Sequence, residues 1–367
     1  MTLIAPEYVR QIAPYQAGRP ISEIARKYGL DEAGIVKLAS NENPLGMSPA
    51  ALEAMQAAIG ELARYPDSNG FDLKAALSAH YDVPQDWITL GNGSNDVLEL
   101  AAHAILEPGA SCVYSEHAFA VYALATQETG ARAIVAPARD FGHDMDAMAA
   151  AIEPDTRVVF IANPNNPTGT FVPHTRIEAF LEQVPADVVV VLDEAYNEFL
   201  EPGLRFDTVE WVRRHPNLIV ARTFSKAYGL AGLRIGFGLA QPELTDLMNR
   251  VRQPFNVNSL AMAAAIAALG DRDFLERSYR CNRDGLRQLT EAFDQRGLRW
   301  IPSFGNFVAV HVGDGARVFE SLLRQGVIVR PIGGYGMPQW LRVSVGLESE
   351  NQTFIAALDQ SLADRPA

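Results

Sequence analysis

Lys226 stands in the stretch Thr223-Phe224-Ser225-Lys226-Ala227-Tyr228-Gly229-Leu230-Ala231-Gly232-Leu233-Arg234, between apolar runs at 218–221 and 235–238. A primary amine becomes a nucleophile when desolvation or a second cation lowers its pKa, and Arg234 follows eight positions later. Alone, the stretch also reads as a solvated surface lysine. Two further groups widen the chemistry. Gly91-Asn92-Gly93-Ser94-Asn95-Asp96 lies between a short apolar run at 87–90 and an apolar helical pattern at 97–106. Strand, glycine loop and helix can present backbone amides to an anion. The same residues also read as a tight turn with Ser94 or Asn95 as helix cap. Neither a nucleotide P-loop nor a full dinucleotide fingerprint is present. Finally, a continuous apolar run at 188–192 ends in the acid Asp193, followed by Glu194-Ala195-Tyr196.

Those groups need a scaffold that gathers them. Apolar runs predict strands at 111–114, 133–136, 157–162, 188–192, 218–223 and 234–239, with helices at 119–129, 145–152 and 175–183 between them. The run at 188–192 shows no polar alternation, as expected of a parallel strand covered on both faces. Alternating strands and helices define an α/β, doubly wound, mostly parallel sheet, where ligands bind outside the carboxyl ends of the strands. The polar segments fall at those ends: 163–169 (Asn163-Pro164-Asn165-Asn166-Pro167-Thr168-Gly169), 193–196 and 225–226.

Around this domain, residues 1–45 read as an N-terminal arm and part of a smaller domain, with a helix at 21–28 and a polar turn at 38–46 that reads as either a solvated loop or a substrate-proximal one. Residues 46–258 form the large domain, opening with helices at 49–62 and 71–81. Residues 259–367 form a small C-terminal α+β domain, with helices at 260–269 and 271–295, strands at 307–311, 327–329 and 341–345, and a C-terminal helix.

At 367 residues, one simple core is excluded. A net charge of −13 with scattered basic residues argues against a nucleic-acid surface, so an anionic ligand needs a local pocket. The two cysteines, Cys112 and Cys281, show no metal-ligand or disulfide pattern. Glu7, Arg10 and two prolines occupy the first fifteen residues, where a signal peptide has an apolar core, and no stretch reaches membrane-spanning length. A cytoplasmic protein with neither metal nor membrane partner is expected.

A Schiff-base amine, an anion loop and a strand-end carboxylate are together what pyridoxal 5'-phosphate requires. Lys226 would meet the aldehyde. The Ser94 and Asn95 amides, Ser225 and Arg234 would hold the phosphate. Asp193 would keep the pyridine nitrogen protonated, so that the ring accepts electrons. Asn166 and Tyr196 would reach the phenolic oxygen, and Phe119 would stack on the ring. Taken singly, Phe119 also reads as a core aromatic, Asn166 as a turn residue and Asp193 as a helix cap.

The chain resembles the fold type I pyridoxal-phosphate-dependent aminotransferases, and within them the histidinol-phosphate aminotransferase family, along nearly its whole length. The resemblance rests on 39–44 (Ala-Ser-Asn-Glu-Asn-Pro), Arg64-Tyr65-Pro66, Gly91-Asn92-Gly93-Ser94, 163–169, Asp193-Glu194-Ala195-Tyr196, 225–234 and 341–346 (Leu-Arg-Val-Ser-Val-Gly). It implies that Lys226 holds the cofactor and moves the substrate Cα proton, and that Arg342 grips a carboxylate. Tyr65 would reach the cofactor phosphate across a homodimer interface, with the N-terminal arm also reaching the neighbouring site. Tyr15, Asn43, Asn306 and Arg330 would line or adjoin the substrate pocket, Arg330 being suited to a substrate phosphate. The chain departs from the family at Asn95-Asp96, where an acidic pair ending in glutamate is common, and at Phe119, where some members have tyrosine. The implied reaction is transamination between histidinol phosphate and 2-oxoglutarate, with glutamate as the other amine. The alternatives are an aromatic aminotransferase acting on phenylalanine or tyrosine, a decarboxylase of a phosphorylated amino acid, and a non-catalytic cofactor-binding regulator. The last would need an additional domain for which the first 45 residues are too short.

Overall fold

The computed structural model describes residues 4–14 and 18–363. Its centre is a seven-stranded sheet built from β1 (Ile88–Gly91), β2 (Ser111–Ser115), β3 (Arg132–Ala136), β4 (Thr156–Ala162), β5 (Val189–Asp193), β6 (Leu218–Thr223) and β7 (Gly236–Leu239). They lie in the order β1-β7-β6-β5-β4-β2-β3. Only β7 runs antiparallel to its neighbours in this sheet. The mostly parallel, doubly wound sheet expected from the apolar runs is therefore present. Every residue of β5 and β6 is buried, which explains their lack of polar alternation.

Register decides which residues meet. Ala162 is level with Asp193, and Asp193 with Ala221, so the carboxyl ends of β4, β5 and β6 open onto one place. Gly236 is level with Gly91 on one side and Thr223 on the other. The glycine loop and the lysine loop thus flank one residue of β7. A Cβ at Gly236 would crowd the Ser94 amide and the Gly93 carbonyl carbon, so the close approach requires glycine here.

A second sheet of four antiparallel strands comprises Trp300–Ile301, Phe307–His311, Arg330–Pro331 and Trp340–Ser344. It is covered by Gly315–Arg324, Glu348–Ala363 and the 24-residue helix Arg272–Gln295. The early segment Val36–Lys37 pairs in parallel with Val327–Ile328, tying the first part of the chain to the last. Its two-residue length left no periodic signal. The alanine-rich helix Ser259–Gly270 packs along Pro49–Ala58, with Ala261, Ala264, Ala265 and Ala268 buried, because small side chains let the two backbones approach.

Several boundaries differ from the sequence expectation by one to four residues, three of them for an evident local reason. The α-helix predicted over 49–62 stops at Ala58 and finishes as a 3-10 turn at Ile59–Glu61. The helix predicted to begin at 97 begins at Ser94, and its cap is Gly93, with φ of 84° and no side-chain bond. The strand predicted from 234 begins at Gly236, because Arg234 adopts the left-handed region at φ 56°. The last two changes place Ser94 and Asn95 in the first turn of the helix and Arg234 in the connection before β7, all three at the mouth of the sheet. Among the described residues no helix is long and apolar enough to cross a membrane.

Candidate active site

The loop after β6 carries Lys226 under tight constraint. Gly229 closes it with a bond from its N–H to the Lys226 carbonyl at 3.0 Å and takes φ of 73°. A Cβ there would collide with the Gly46 carbonyl, so the loop is pressed against the segment around 43–47. Asn43 braces that contact by donating to the Ala227 carbonyl at 2.9 Å and to Ser278 Oγ at 2.8 Å. Lys226 Nζ donates to the Ser40 carbonyl at 3.0 Å and lies 5.8 Å from the centre of the Tyr196 ring. Burial lowers its pKa from 10.5 to about 8, and the Arg342 guanidinium pushes in the same direction. Here the desolvation and second cation expected of a reactive amine are both present. Of the four lysines in the chain, Lys27 and Lys37 pair with Glu320 and Glu42, and Lys74 Nζ lies 3.4 Å from Asn69 Oδ1.

Beside it is an anion cradle. Ser94 and Asn95 are the first residues of a 12-residue helix, where amides lack intrahelical acceptors. Asp96 does not point at the cradle. Its Oδ2 accepts from the Asn92 amide at 2.9 Å and from Asn256 Nδ2 at 2.8 Å, fixing the loop from behind. The departure at Asn95-Asp96 therefore leaves the amides in place. Arg234 donates to Ser225 Oγ at 3.2 Å and to the Asn92 carbonyl at 3.1 Å. Its guanidinium occupies the space that a Cβ on Gly93 would fill. A cation, a hydroxyl and a helix N-terminus converge as an anion requires.

Opposite the cradle, Asp193 is 5% exposed. Its Oδ2 accepts from the Tyr122 hydroxyl at 3.0 Å and its Oδ1 from the Ala195 amide at 3.2 Å. Burial raises its pKa to about 6, opposed by these donors and by Lys226, so the carboxylate is ionised at neutral pH. The next residue, Glu194, is buried against Arg222 at 2.7 Å and accepts from Thr208 Oγ1 at 2.9 Å, which anchors the turn carrying Asp193 and Tyr196. Phe119 forms a wall of the cavity and meets Tyr122 edge to face, with centroids 5.9 Å apart.

The small sheet closes the remaining side. Arg342, 6% exposed, donates to Asn166 Oδ1 and to the Ala39 carbonyl, both at 2.6 Å. Tyr196 OH accepts from Asn41 Nδ2 at 2.9 Å, and Asn41 in turn accepts from Ser344 Oγ at 2.8 Å. Arg330 and Tyr335 line the outer part.

Ser94, Asn95, Phe119, Asn166, Asp193, Tyr196, Ser225, Lys226, Arg234, Arg330 and Arg342 thus share one cavity. Asn43 and Asn306 do not line it. Asn43 is the brace described above, and Asn306 is a buried brace that donates to the Asn41 carbonyl at 3.0 Å. Tyr65 is 83% exposed and stacks on Phe255, centroids 4.7 Å apart, outside the cavity of its own chain. Tyr15 lies outside the described residues. Sequence reasoning missed Asn41 and Tyr122. Asn41 lies in a polar segment that reads equally as a solvated loop or a substrate-proximal one, and Tyr122 lies in a helix whose apolar pattern marks it as core. The cavity's donor set fits a phosphorylated pyridine aldehyde: an amine of lowered pKa, a carboxylate, an anion cradle and an aromatic wall.

The chain belongs to the aminotransferase class I and II family, whose model matches residues 33–358. Histidinol-phosphate aminotransferase 1 of Cupriavidus pinatubonensis is 70% identical over 361 residues, covering 97% of this chain and 96% of that one. Histidinol-phosphate aminotransferase 2 of Ralstonia nicotianae is 66% identical, covering 99% and 98%. The crystal structure of histidinol-phosphate aminotransferase from Sinorhizobium meliloti, in complex with pyridoxal-5'-phosphate, superposes with a TM-score of 0.90 at 29% identity, covering 97% of both chains.

Proposed function

We propose that this chain is a pyridoxal 5'-phosphate-dependent aminotransferase that exchanges the amino group of histidinol phosphate with 2-oxoglutarate, in histidine biosynthesis. The observation that carries the reading is Lys226, the partly buried amine of lowered pKa, in one cavity with Asp193 and the Ser94–Arg234 cradle. Relatives 57–70% identical along nearly the whole chain, each called a histidinol-phosphate aminotransferase, support the substrate.

When bound, pyridoxal phosphate supplies an electron sink for the pair released as the substrate Cα–H bond breaks. The Ser94 and Asn95 amides, Ser225 Oγ and Arg234 would hold its phosphate. Asp193 would keep the ring nitrogen protonated, Asn166 and Tyr196 would hydrogen-bond the ring oxygen, and Phe119 would cover one face. Lys226 Nζ would act as the base that takes the Cα proton and as the acid that gives it back. Arg330 binds the phosphate of the amine, and Arg342 binds the carboxylate of the oxo acid, its planar fork matching two oxygens. Over the whole cycle the amino group of histidinol phosphate is exchanged for the oxo group of 2-oxoglutarate, giving glutamate and the corresponding oxo compound of the donor. The protein works in the cytoplasm as a homodimer, with exposed Tyr65 and the N-terminal arm serving the neighbouring subunit's site.

A donor panel of histidinol phosphate, phenylalanine and tyrosine, each with 2-oxoglutarate, tests the reading. Histidinol phosphate should give the highest kcat/KM with stoichiometric glutamate. A higher value for phenylalanine would reassign the substrate, and carbon dioxide release without oxo acid consumption would reassign the reaction.

A further inference from the structure

Tyr122 is fully buried in the helix Ala120–Glu128. Its ring stacks on Phe160 of β4, with centroids 4.8 Å apart and planes parallel at 0°. That stack aims the hydroxyl at the carboxyl ends of the strands, where it donates to Asp193 Oδ2 at 3.0 Å. A buried tyrosine hydroxyl must find an acceptor, and any backbone carbonyl would satisfy it. Here it meets the strand-end carboxylate facing the cofactor cavity, whose other oxygen is taken by the Ala195 amide. Two protein donors thus fix both oxygens, while each oxygen keeps lone pairs for a further partner. A neutral donor also differs from an arginine in this position. It stabilises the anion without adding a cation that would compete for its charge.

We propose that Tyr122 is a positioning residue for transamination, which orients Asp193 and holds it ionised for the ring nitrogen of the cofactor. The inference rests on the pyridoxal phosphate reading above and on Asp193 as the partner of that nitrogen. Among the groups that hold down the pKa of Asp193 against burial, the Tyr122 bond is the largest. Phe119, on the cavity wall, packs edge to face on the same ring, so Tyr122 also supports the surface against which the cofactor ring would lie.

The test compares Tyr122→Phe, which keeps the ring stacked on Phe160, with the wild type in binding two ligands to the apo-protein. One is pyridoxal 5'-phosphate, and the other is its 1-deaza analogue, in which carbon replaces the ring nitrogen. Tyr122→Phe should weaken the natural cofactor by roughly tenfold, the scale of one charge-assisted hydrogen bond. It should change the analogue's Kd by less than about twofold. Equal losses for both ligands would make Tyr122 a core residue and overturn the inference, as would no loss for either. A melting temperature for the apo variant within a few degrees of the wild type establishes that it folds. In an Asp193→Asn background, where the wild-type tyrosine has lost its charged acceptor, Tyr122→Phe should add less than about twofold; a further tenfold loss would overturn the proposal. If the wild type itself fails to prefer pyridoxal phosphate over the analogue, Asp193 is not the nitrogen's partner, and both readings fall by a separable result.

Discussion

Arg342 Nη1 donates to Asn166 Oδ1 at 2.6 Å, joining the middle of the small sheet to the carboxyl edge of the large one. Arg342 Nη2 holds the Ala39 carbonyl at the same distance, so one guanidinium links three parts of the chain. A residue proposed to bind substrate and a residue proposed to bind cofactor are therefore not independent.

Arg342→Lys keeps the charge but cannot span both acceptors, since an ammonium lacks the planar fork. The expected result is a fall in kcat/KM for 2-oxoglutarate on the order of 10- to 100-fold, the worth of one or two charge-assisted hydrogen bonds. A smaller fall should appear with the phosphorylated amine, because Asn166 is loosened. Half-reaction kinetics for each substrate check this, and unchanged values for both would remove the role.

The lowered pKa of Lys226 gives cofactor capture a definite pH dependence. Below about pH 8 the amine is protonated and cannot attack an aldehyde; above it the neutral form dominates, well before the ordinary lysine value of 10.5. The rate at which apo-protein captures pyridoxal phosphate should therefore rise with pH and level off just above 8. Stopped-flow absorbance across pH 6 to 10.5 measures it, and a midpoint near 10 would contradict the assigned environment. The sign also reaches stability. A depressed lysine pKa means that the folded protein penalises the charged amine, and the penalty is complete at pH 7, where folded and unfolded chains are both protonated, so Lys226→Met should raise the melting temperature of the apo-protein at pH 7. The gain should shrink between pH 8 and 10.5.

Arg330 opens onto the outer cavity beside Gly18, on the side away from Asp193 and the cradle. Arg330→Ala should raise KM for histidinol phosphate on the order of 10- to 100-fold, the range of a lost arginine–phosphate contact. KM for glutamate, which has no phosphate, should move by less than about threefold. Steady-state kinetics on both amines decide, and equal rises would take the phosphate from Arg330.

The scaffold was legible because burial on both faces leaves a plain mark. The runs that became β4, β5 and β6 have no polar alternation, and their ends named Asn166, Asp193 and Lys226 in advance. The glycine loop was legible as a location but not in its ends. Gly93 caps its helix through a backbone conformation, which no side-chain signal announces, so the helix starts three residues early. The resemblance sets Asn43 and Asn306 in or beside the pocket, and both turn their amides to backbone carbonyls behind its wall, a role that no local pattern announces. Tyr122 shows the converse. Its position in the helix marks it as core, and only the packing of Phe160 beneath it aims its hydroxyl at Asp193. Contacts set by tertiary geometry between distant residues have no periodic trace, so a motif can name the reactive residue without naming what holds it.

The central claim is that Lys226 is the amine that takes the cofactor. Adding pyridoxal 5'-phosphate to the purified protein, reducing with borohydride and mapping peptides by mass spectrometry tests it directly, since only four lysines compete. The account predicts one phosphopyridoxyl group, on Lys226, and none on the Lys226→Ala variant. Stoichiometric labelling of Lys27, Lys37 or Lys74, or an unmodified Lys226 in protein that turns over histidinol phosphate, would contradict it.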